Sequence, residues 1–426
     1  MFNGLKKLEE LDLTPFSSNK VSNISRMFGN CNSLKELNLG DFDTSNVTDM
    51  SQLFLNCTTL GYIPIDSFNT NNVQNMSSMF EGCSSATYLD LTDFNTSKVT
   101  NMSKIFSECS SLTALYITNF DTRKVADMSW MFSNCSNLNK VDVKNFYTKN
   151  VEYMNRMFSG CSNLLTLDVT NFDTSIVTDM SDMFSGCLLL KTLDVSNFNT
   201  SNVITMKGMF YNCASLISLD LTNFDTKNTT SIRSMFSLCK SLETVNLSSF
   251  DTSNVTDMGY VFNECYKLKS LDLSNFNTEK VTTLEFMFAS CRTLASLDLS
   301  NFKTSNVTSL TRMCAGCSKL KSINLLSFDT SNVTSIAGMF AYTSISELDL
   351  SSFDTSKVTN MSYLFDTNGN IYKVYVSDKW SVASLQNTTN MFYAAHALRS
   401  RREEVGCTSE KECAQANPPG VFILKE

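Results

Sequence analysis

His396 is the only histidine in this 426-residue chain, and that scarcity excludes most His-rich metal sites and mechanisms that need several imidazoles. Proline and glycine are sparse as well, at 4 and 14 residues, which argues against collagen-like, linker-like or broadly disordered character. Basic charge is in deficit: the formal net charge is −8 and the isoelectric point is near 5.0. Nucleic acid and anionic membrane both call for clustered Lys and Arg, so neither is an expected partner. The one short basic run, Arg399 to Arg402, is followed at once by Glu403 and Glu404. No apolar run reaches the roughly 20 residues of a membrane span, so direct membrane insertion is not expected. The opening "MFNGLKKLEELDL" has no apolar core leading to a small-residue cleavage site.

What the chain has in abundance is order at a fixed interval. Twelve of its 15 cysteines, from Cys31 to Cys317, stand 26 residues apart. Phe28, Phe80, Phe132 and Phe158 keep the same period three residues before a cysteine, and a second series runs from Phe42 to Phe328. A representative unit is "MFSGCSNLLTLDVTNFDTSIVTDMSD", Met157 to Asp182. The spacing slips only late, to 25 between Phe340 and Phe365 and to 27 before Phe392. Met1-Phe2 already occupies the Met-Phe position. The sequence therefore reads as a fragment that starts inside a repeat, its amino-terminal cap lying upstream.

Leu34, Leu37 and Leu39 follow L-x-x-L-x-L, the strand signature of leucine-rich repeats. Leu37 and Leu39 face inward and position 38 outward. Phe42 turns the corner, and "DTSN" at Asp43 to Asn46 is turn chemistry. Val47, Met50, Leu53 with Phe54, and Cys57 are spaced by three or four, which predicts a short helix on the return side. One strand and one short helix cannot bury their own apolar faces, whereas stacked coils bury each column against its copies. The expected fold is an α/β leucine-rich-repeat solenoid of about 15 coils, with parallel strands about 4.8 Å apart. It should run continuously over residues 1–392, followed by a cap helix and tail at 393–426 in which Cys407 and Cys413 are either bridged or free.

The motif MF-x-x-C-x-x-L-x-x-L-D-L-S-x-F-D-T-S-N-V-T-x-M-S, spanning Met1 to about Phe392, closely resembles the repeat of BspA-like leucine-rich repeat surface proteins, also called the bacterial surface protein 26-residue repeat or DUF285 family. The resemblance implies a secreted or surface-attached bacterial solenoid used in adhesion or protein recognition, without enzymatic activity or cofactor. The chain contains neither a lipobox cysteine nor an LPxTG-type wall anchor, so its extracellular or surface placement is an implication of the resemblance.

Several constellations invite a chemical reading. "MCAGC" at Met313 to Cys317 looks like a redox or metal motif. In register, however, Cys317 is a ladder cysteine and Cys314 stands in the column of Phe288 and Phe340. The ladder itself would give parallel Cβ vectors, poorly suited to disulfides or to tetrahedral metal, and free Cys packs as a small hydrophobe. Thr343 takes the next ladder position with no evident compensation in the sequence.

A row of outward aspartates includes Asp142, Asp168, Asp194 and Asp220. Like charges about 5 Å apart should raise some of their pKa values or attract cations. They constitute either a face for a basic partner, with weak calcium sites as a variant, or solvated caps on nearby backbone. Tyr116, Tyr147 and Tyr153 break the consensus and are candidate interface anchors, with Tyr147 and Tyr153 in one coil. Clustering of such deviations on one face would favour recognition, and scatter would favour an array. Threonines from Thr44 to Thr330 form another ladder after each corner Phe, read either as an ice-binding array or as hydroxyls bonded to the turn backbone.

The sequence thus points to a non-catalytic, monomeric module that binds a protein or host-surface ligand, with no metal or cofactor. The alternatives are a structural surface array without specific ligand, or an ice-binding solenoid.

Overall fold

The computed structural model describes residues 1–16, 18–416 and 420–425. The tail residues 417–419 and 426, and the side chain of Arg399 in the basic run, lie outside the described residues. The chain forms two compact units, one of residues 1–203 with 209–216 and the other of residues 204–208 with 217–426. Both are parallel β-solenoids, with about 14 coils between them.

Unit 1 contains β1 (Glu10–Asp12), β2 (Glu36–Asn38), β3 (Tyr88–Asp90) and β4 (Ala114–Tyr116). Unit 2 contains β5 (Ser218–Asp220), β6 (Thr244–Asn246), β7 (Ser296–Asp298), β8 (Ser322–Asn324), β9 (Glu347–Asp349), β10 (Lys373–Val376), α1 (His396–Val405), α2 (Glu410–Cys413) and β11 (Ile423–Leu424). Strands pair in parallel and in repeat register, as in Leu11↔Leu37 and Leu89↔Leu115. Each central Leu, Val or Ile points inward and its two neighbours point out, because strand side chains alternate.

A second ladder of parallel bridges, one residue per coil, runs from Asn23 through Asp49, Asn75, Asn101, Asp127 and Tyr153 to Asp179 in unit 1. A matching ladder in unit 2 runs from Thr205 to Asn387. The side chain of the bridging Asn or Asp accepts from the amide two residues on, as Asp49 Oδ1 does from Ser51 at 2.9 Å. Local capping of this kind suits a residue whose backbone is otherwise committed to its neighbours.

The short helix expected on the return side of each coil is not formed. Around Phe28 the amides alternate. Those of Met27, Gly29 and Cys31 donate to carbonyls three residues back, while those of Arg26, Phe28 and Asn30 donate to Ser51, Leu53 and Leu55 of the next coil. An α-helix would send every amide four residues back. Here half the donors go to the neighbouring coil, and the segment becomes a string of tight turns. Two positions per coil must then adopt the left-handed region, such as Arg26 at φ 58° and Asn30 at φ 59°. Asn and Gly enter that region at least cost, and Asn30, Asn56, Gly82, Asn134, Gly160 and Gly186 fill the second of the two positions.

The turns carry the core. In unit 1 the rings of Phe2, Phe28, Phe54, Phe80, Phe106, Phe132, Phe158, Phe184 and Phe210 stack with centroids 5.3–6.0 Å apart. Their offset parallel geometry lies within the range in which aromatic pairs attract. Columns of Met, Val, Leu and Cys are buried beside them. In unit 2 the column passes through Cys314, which is fully buried between the coils of Phe288 and Phe340.

After the last Met-Phe turn the chain of unit 2 enters α1, where Leu398 is buried. The tail does more than its lack of repeat character implied. Its β11 pairs in parallel with β10, Phe422 packs against Phe365, Phe392 and Trp380, and the Trp380 indole donates to Ala414 O at 2.8 Å. Cys407 and Cys413 are disulfide-bonded, and a capping box of Ser409 and Glu412 opens α2.

Candidate interaction face

The outward aspartates sit where the strands deliver them, at the last position of the strand or its equivalent. Asp142, Asp168 and Asp194 belong to unit 1 and Asp220 to unit 2. Each accepts a hydrogen bond from the amide two residues on: Lys144 for Asp142, Thr170 for Asp168, Ser196 for Asp194 and Thr222 for Asp220. The Thr170 hydroxyl also donates to Asp168, at 2.6 Å.

These local donors decide the electrostatics. The side-chain hydroxyl and then the amide of the residue two ahead hold Asp90, Asp168, Asp194 and Asp272 below the usual Asp value, and at Asp298 the Ser300 amide leads. Asp168 does push Asp194 upward, but more weakly than Ser196 pulls it down. The expected upward shift from stacked like charges is therefore overturned, because a donor within hydrogen-bond reach outweighs a solvated like charge in the next coil.

The sign of the resulting pH dependence follows directly. A carboxyl held lower in the folded chain than in the unfolded one stabilises the fold fully above its unfolded value, about 3.9, and loses that contribution as pH falls toward the depressed value. Urea denaturation is expected to show stability declining below about pH 4, and Asp168→Asn should make the decline shallower. A stability that stayed level through the acid range in the wild-type chain would contradict this assignment.

The three candidate tyrosines are not brought together. Tyr116, 47% exposed, lies in β4 beside Asp90 of the neighbouring coil, on the aspartate face. Tyr147 lies past the corner Phe, where its amide and carbonyl bond Thr122 Oγ1. Tyr153 belongs to the second bridge ladder, between Asp127 and Asp179. All three are exposed, at three different parts of the coil, so these tyrosine deviations taken alone favour an array and do not support recognition.

Tyr116 has company that the sequence reading did not single out. Its ring meets that of Tyr88, centroids 5.6 Å apart. Two coils along from Tyr88 on the same strand row, Lys140, Asp142, Lys144 and Asp168 line a shallow groove of about 300 Å³, with Lys144 Nζ 3.9 Å from Asp168. Asp220 lines a separate groove of unit 2 with Asn246 and Asp272, of about 420 Å³.

The threonine ladder is no surface array. Thr44, Thr70, Thr96, Thr122, Thr148 and Thr174 are at most 2% exposed. The Thr44 hydroxyl donates to Asn69 O at 3.1 Å and accepts from Asn69 N at 2.7 Å, and Thr70 treats Asn95 in the same way. The ice-binding reading of this ladder is overturned, since its hydroxyls are buried and saturated by the next coil's backbone.

The cysteine ladder is core, with a specific refinement. Ladder thiols donate to a carbonyl of the preceding coil, as Cys57 does to Phe28 O at 3.2 Å and Cys135 to Phe106 O at 3.0 Å. Burial pushes Cys57, Cys109 and Cys161 up to about 12. Cys314 and Cys317 are free, fully buried and likewise raised by burial, so neither presents the thiolate that redox or metal chemistry uses. Thr343 does have a compensating partner: the side-chain amide of Asn368, one coil on, lies 2.9 Å from its hydroxyl.

The fold and these faces define a leucine-rich-repeat scaffold, which within each unit presents side chains in repeat register. The chain belongs to the family described as "Mycoplasma protein of unknown function, DUF285", which it matches at residues 1–90, 83–166, 161–245, 216–325 and 318–411. Among solved structures it is similar to a leucine-rich repeat protein from Bacteroides ovatus, with 17% identity over 88% of this chain and 85% of that one and a TM-score of 0.42. It is also similar to a leucine rich cell surface protein from Faecalibacterium prausnitzii, with 19% identity over 76% of this chain and 84% of that one and a TM-score of 0.37. No curated protein sequence matches the chain.

Proposed function

We propose that the chain is a non-catalytic recognition module of a secreted or cell-surface protein. It binds a protein or host-surface partner, as a monomer, through the strand face of unit 1. The observation that carries this reading is where the repeats differ. Their buried positions hold the same Phe, Met, Cys, Leu and Thr from coil to coil. The outward position before each central strand residue changes from Glu36 to Tyr88, Ala114, Lys140 and Thr166. A constant core beneath a varied surface suits recognition, and paired exposed aromatics make good anchors.

In unit 2 the same row is nearly monotonous from Ser218 through Thr244, Ser270 and Ser296 to Ser322, as expected of structural filler, and varies again only at Glu347 and Lys373. That monotony favours the array reading for unit 2 alone. Asp142, Asp168 and Asp194 contribute carboxylates capped by local amides, with Lys140 and Lys144 beside the first two, matching a partner of mixed charge. None of them is set apart from its copies as an acid–base pair would be. The bonded Cys407–Cys413 pair supports an oxidising compartment, in keeping with the resemblance to surface proteins. Among the described residues no helix is long and apolar enough to cross a membrane.

The test is to immobilise the chain and titrate purified extracellular-matrix and serum glycoproteins. For a true ligand, combining Tyr88→Ala with Tyr116→Ala is expected to weaken binding by about tenfold or more, and Tyr153→Ala to leave it unchanged. Binding indifferent to the Tyr88 and Tyr116 pair would remove this face from the interface.

A further inference from the structure

The turn side of unit 2 has a second face whose chemistry differs from that of the strands. At the left-handed turn positions, Tyr260 and Phe286 stack with centroids 4.6 Å apart, and a guanidinium caps each end: Arg233 over Tyr260 at 4.9 Å and Arg312 over Phe286 at 5.8 Å. The two ends are not equivalent. Arg233 is neutralised by Asp257 at 3.2 Å and Glu285 at 3.0 Å. Arg312 has no carboxylate partner among the described residues, and neither has Arg292, whose guanidinium rests 4.0 Å above the Tyr266 ring. In unit 1 the corresponding stack of Lys104, Trp130 and Arg156 ends on Asp182, 3.0 Å from Arg156.

Both free guanidiniums border one trough of about 780 Å³. Its floor is low because Ala289, Ala315, Gly316 and Ala341 carry little or no side chain, and Tyr342 and Tyr363 wall its far end. There Asp366, only 6% exposed, accepts a hydrogen bond from Thr367 on Oδ1 at 2.8 Å, and no described residue bonds its Oδ2. Oδ2 is not cut off from solvent: it opens to the trough, where an arriving hydroxyl can donate to it. The trough follows the stack over five coils, from Asn263 to Asp366, roughly 20 Å at the usual strand spacing.

The floor cannot accept a peptide by strand addition, because its amides already point along the stack: Ser290 N to Ala315 O, Gly316 N to Ala341 O and Tyr342 N to Asp366 O. Recognition falls to side chains, namely two guanidiniums, aromatic faces and two carboxylates, of which Glu264 already accepts the Tyr266 hydroxyl and Asp366 keeps Oδ2 uncommitted. We propose that this trough binds a carboxylated oligosaccharide, a uronate-type chain. Its carboxylates would pair with Arg312 and Arg292, a hydroxyl would donate to Asp366 Oδ2, and its ring faces would lie against Tyr342 and Tyr363. This site is independent of the protein-binding face proposed for unit 1.

The experiment is calorimetric titration of the whole chain with a galacturonate hexamer, its neutral galactose counterpart and a hexaglutamate peptide. The uronate is expected to bind saturably, the neutral sugar and the peptide far more weakly. Arg312→Ala should weaken uronate binding by about tenfold or more, and Tyr342→Ala should also weaken it, while Asp142→Asn on the strand face leaves it alone. Asp366→Asn is the decisive variant, isosteric and retaining an acceptor for Thr367. Loss of affinity fits a hydroxyl donated to the carboxylate. A gain in affinity would mark a plain anion site and overturn the saccharide assignment. Equal binding of hexaglutamate, insensitivity to Arg312→Ala, or no saturable uronate binding by a chain with wild-type thermal unfolding would overturn it as well.

Discussion

Replacing Phe158 by alanine is expected to destabilise unit 1 by about 3–5 kcal/mol, the range for emptying a packed aromatic site. Phe158 is fully buried, with its ring 5.3 Å from Phe132 and 5.9 Å from Phe184. Its removal therefore damages two coil–coil interfaces at once. In a repeat stack, stability is close to a sum over neighbouring interfaces, so the loss should concentrate around this coil. Urea unfolding followed by amide exchange would reveal that pattern, with protection falling most from Phe132 to Phe184. Tyr147→Ala, an exposed change in the same unit, should stay within about 0.5 kcal/mol. If Phe158→Ala cost under about 1 kcal/mol, the aromatic column would be ornament and the aliphatic columns would carry the stack.

The sequence made the core legible because the stack turns each buried column into a period. Register alone placed Cys317 in a ladder and Cys314 in an aromatic column, and the structure puts both inside. What the period could not reveal was the hydrogen bonding of the return segment. Apolar residues spaced by three and four suit one face of a helix, yet a string of tight turns places Met50, Leu53, Phe54 and Cys57 inward just as well. The discriminating signal was present in the residue before each ladder cysteine, so often Asn or Gly: Asn30, Asn56, Gly82, Asn134, Gly160. Helix interiors disfavour both residue types, whereas a left-handed turn position selects them.

Legibility of the candidate sites followed the same boundary. Asp142, Asp168 and Asp194 were legible as a row on a strand face, but the electrostatics of Asp168 and Asp194 were not, because the deciding donors are the local Thr170 and Ser196 rather than the neighbouring coils. Tyr116 found its partner in Tyr88, two residues off the repeat register, which a search at strict period passes over. Tyr147 and Tyr153 share a coil and point away from each other's face, since nearness in sequence says little once the chain turns between them. The stack of Tyr260, Phe286 and Arg312 keeps the full period. Its meaning depends on knowing that those positions are exposed turn corners rather than one side of a helix.

Thr174→Val tests the other half of what holds the coils together. The side chain keeps its shape and stays buried, but it loses a hydroxyl that donates to Asn199 O at 2.9 Å and accepts from Asn199 N at 2.8 Å. One group thus satisfies both backbone polar atoms of a residue in the next coil. Leaving them without a partner is expected to cost roughly 1–3 kcal/mol, and the Asn199 amide should exchange markedly faster. Thr174→Ser, which keeps the hydroxyl, should recover most of the loss and restore the slow exchange. Thr48→Val is the matched control, because the exposed Thr48 hydroxyl makes only a 3.3 Å bond to Ser22 O. If the two valine variants cost the same, the buried ladder would contribute packing alone, and the specificity of coil-to-coil register would have to come from the aromatic and thiol columns.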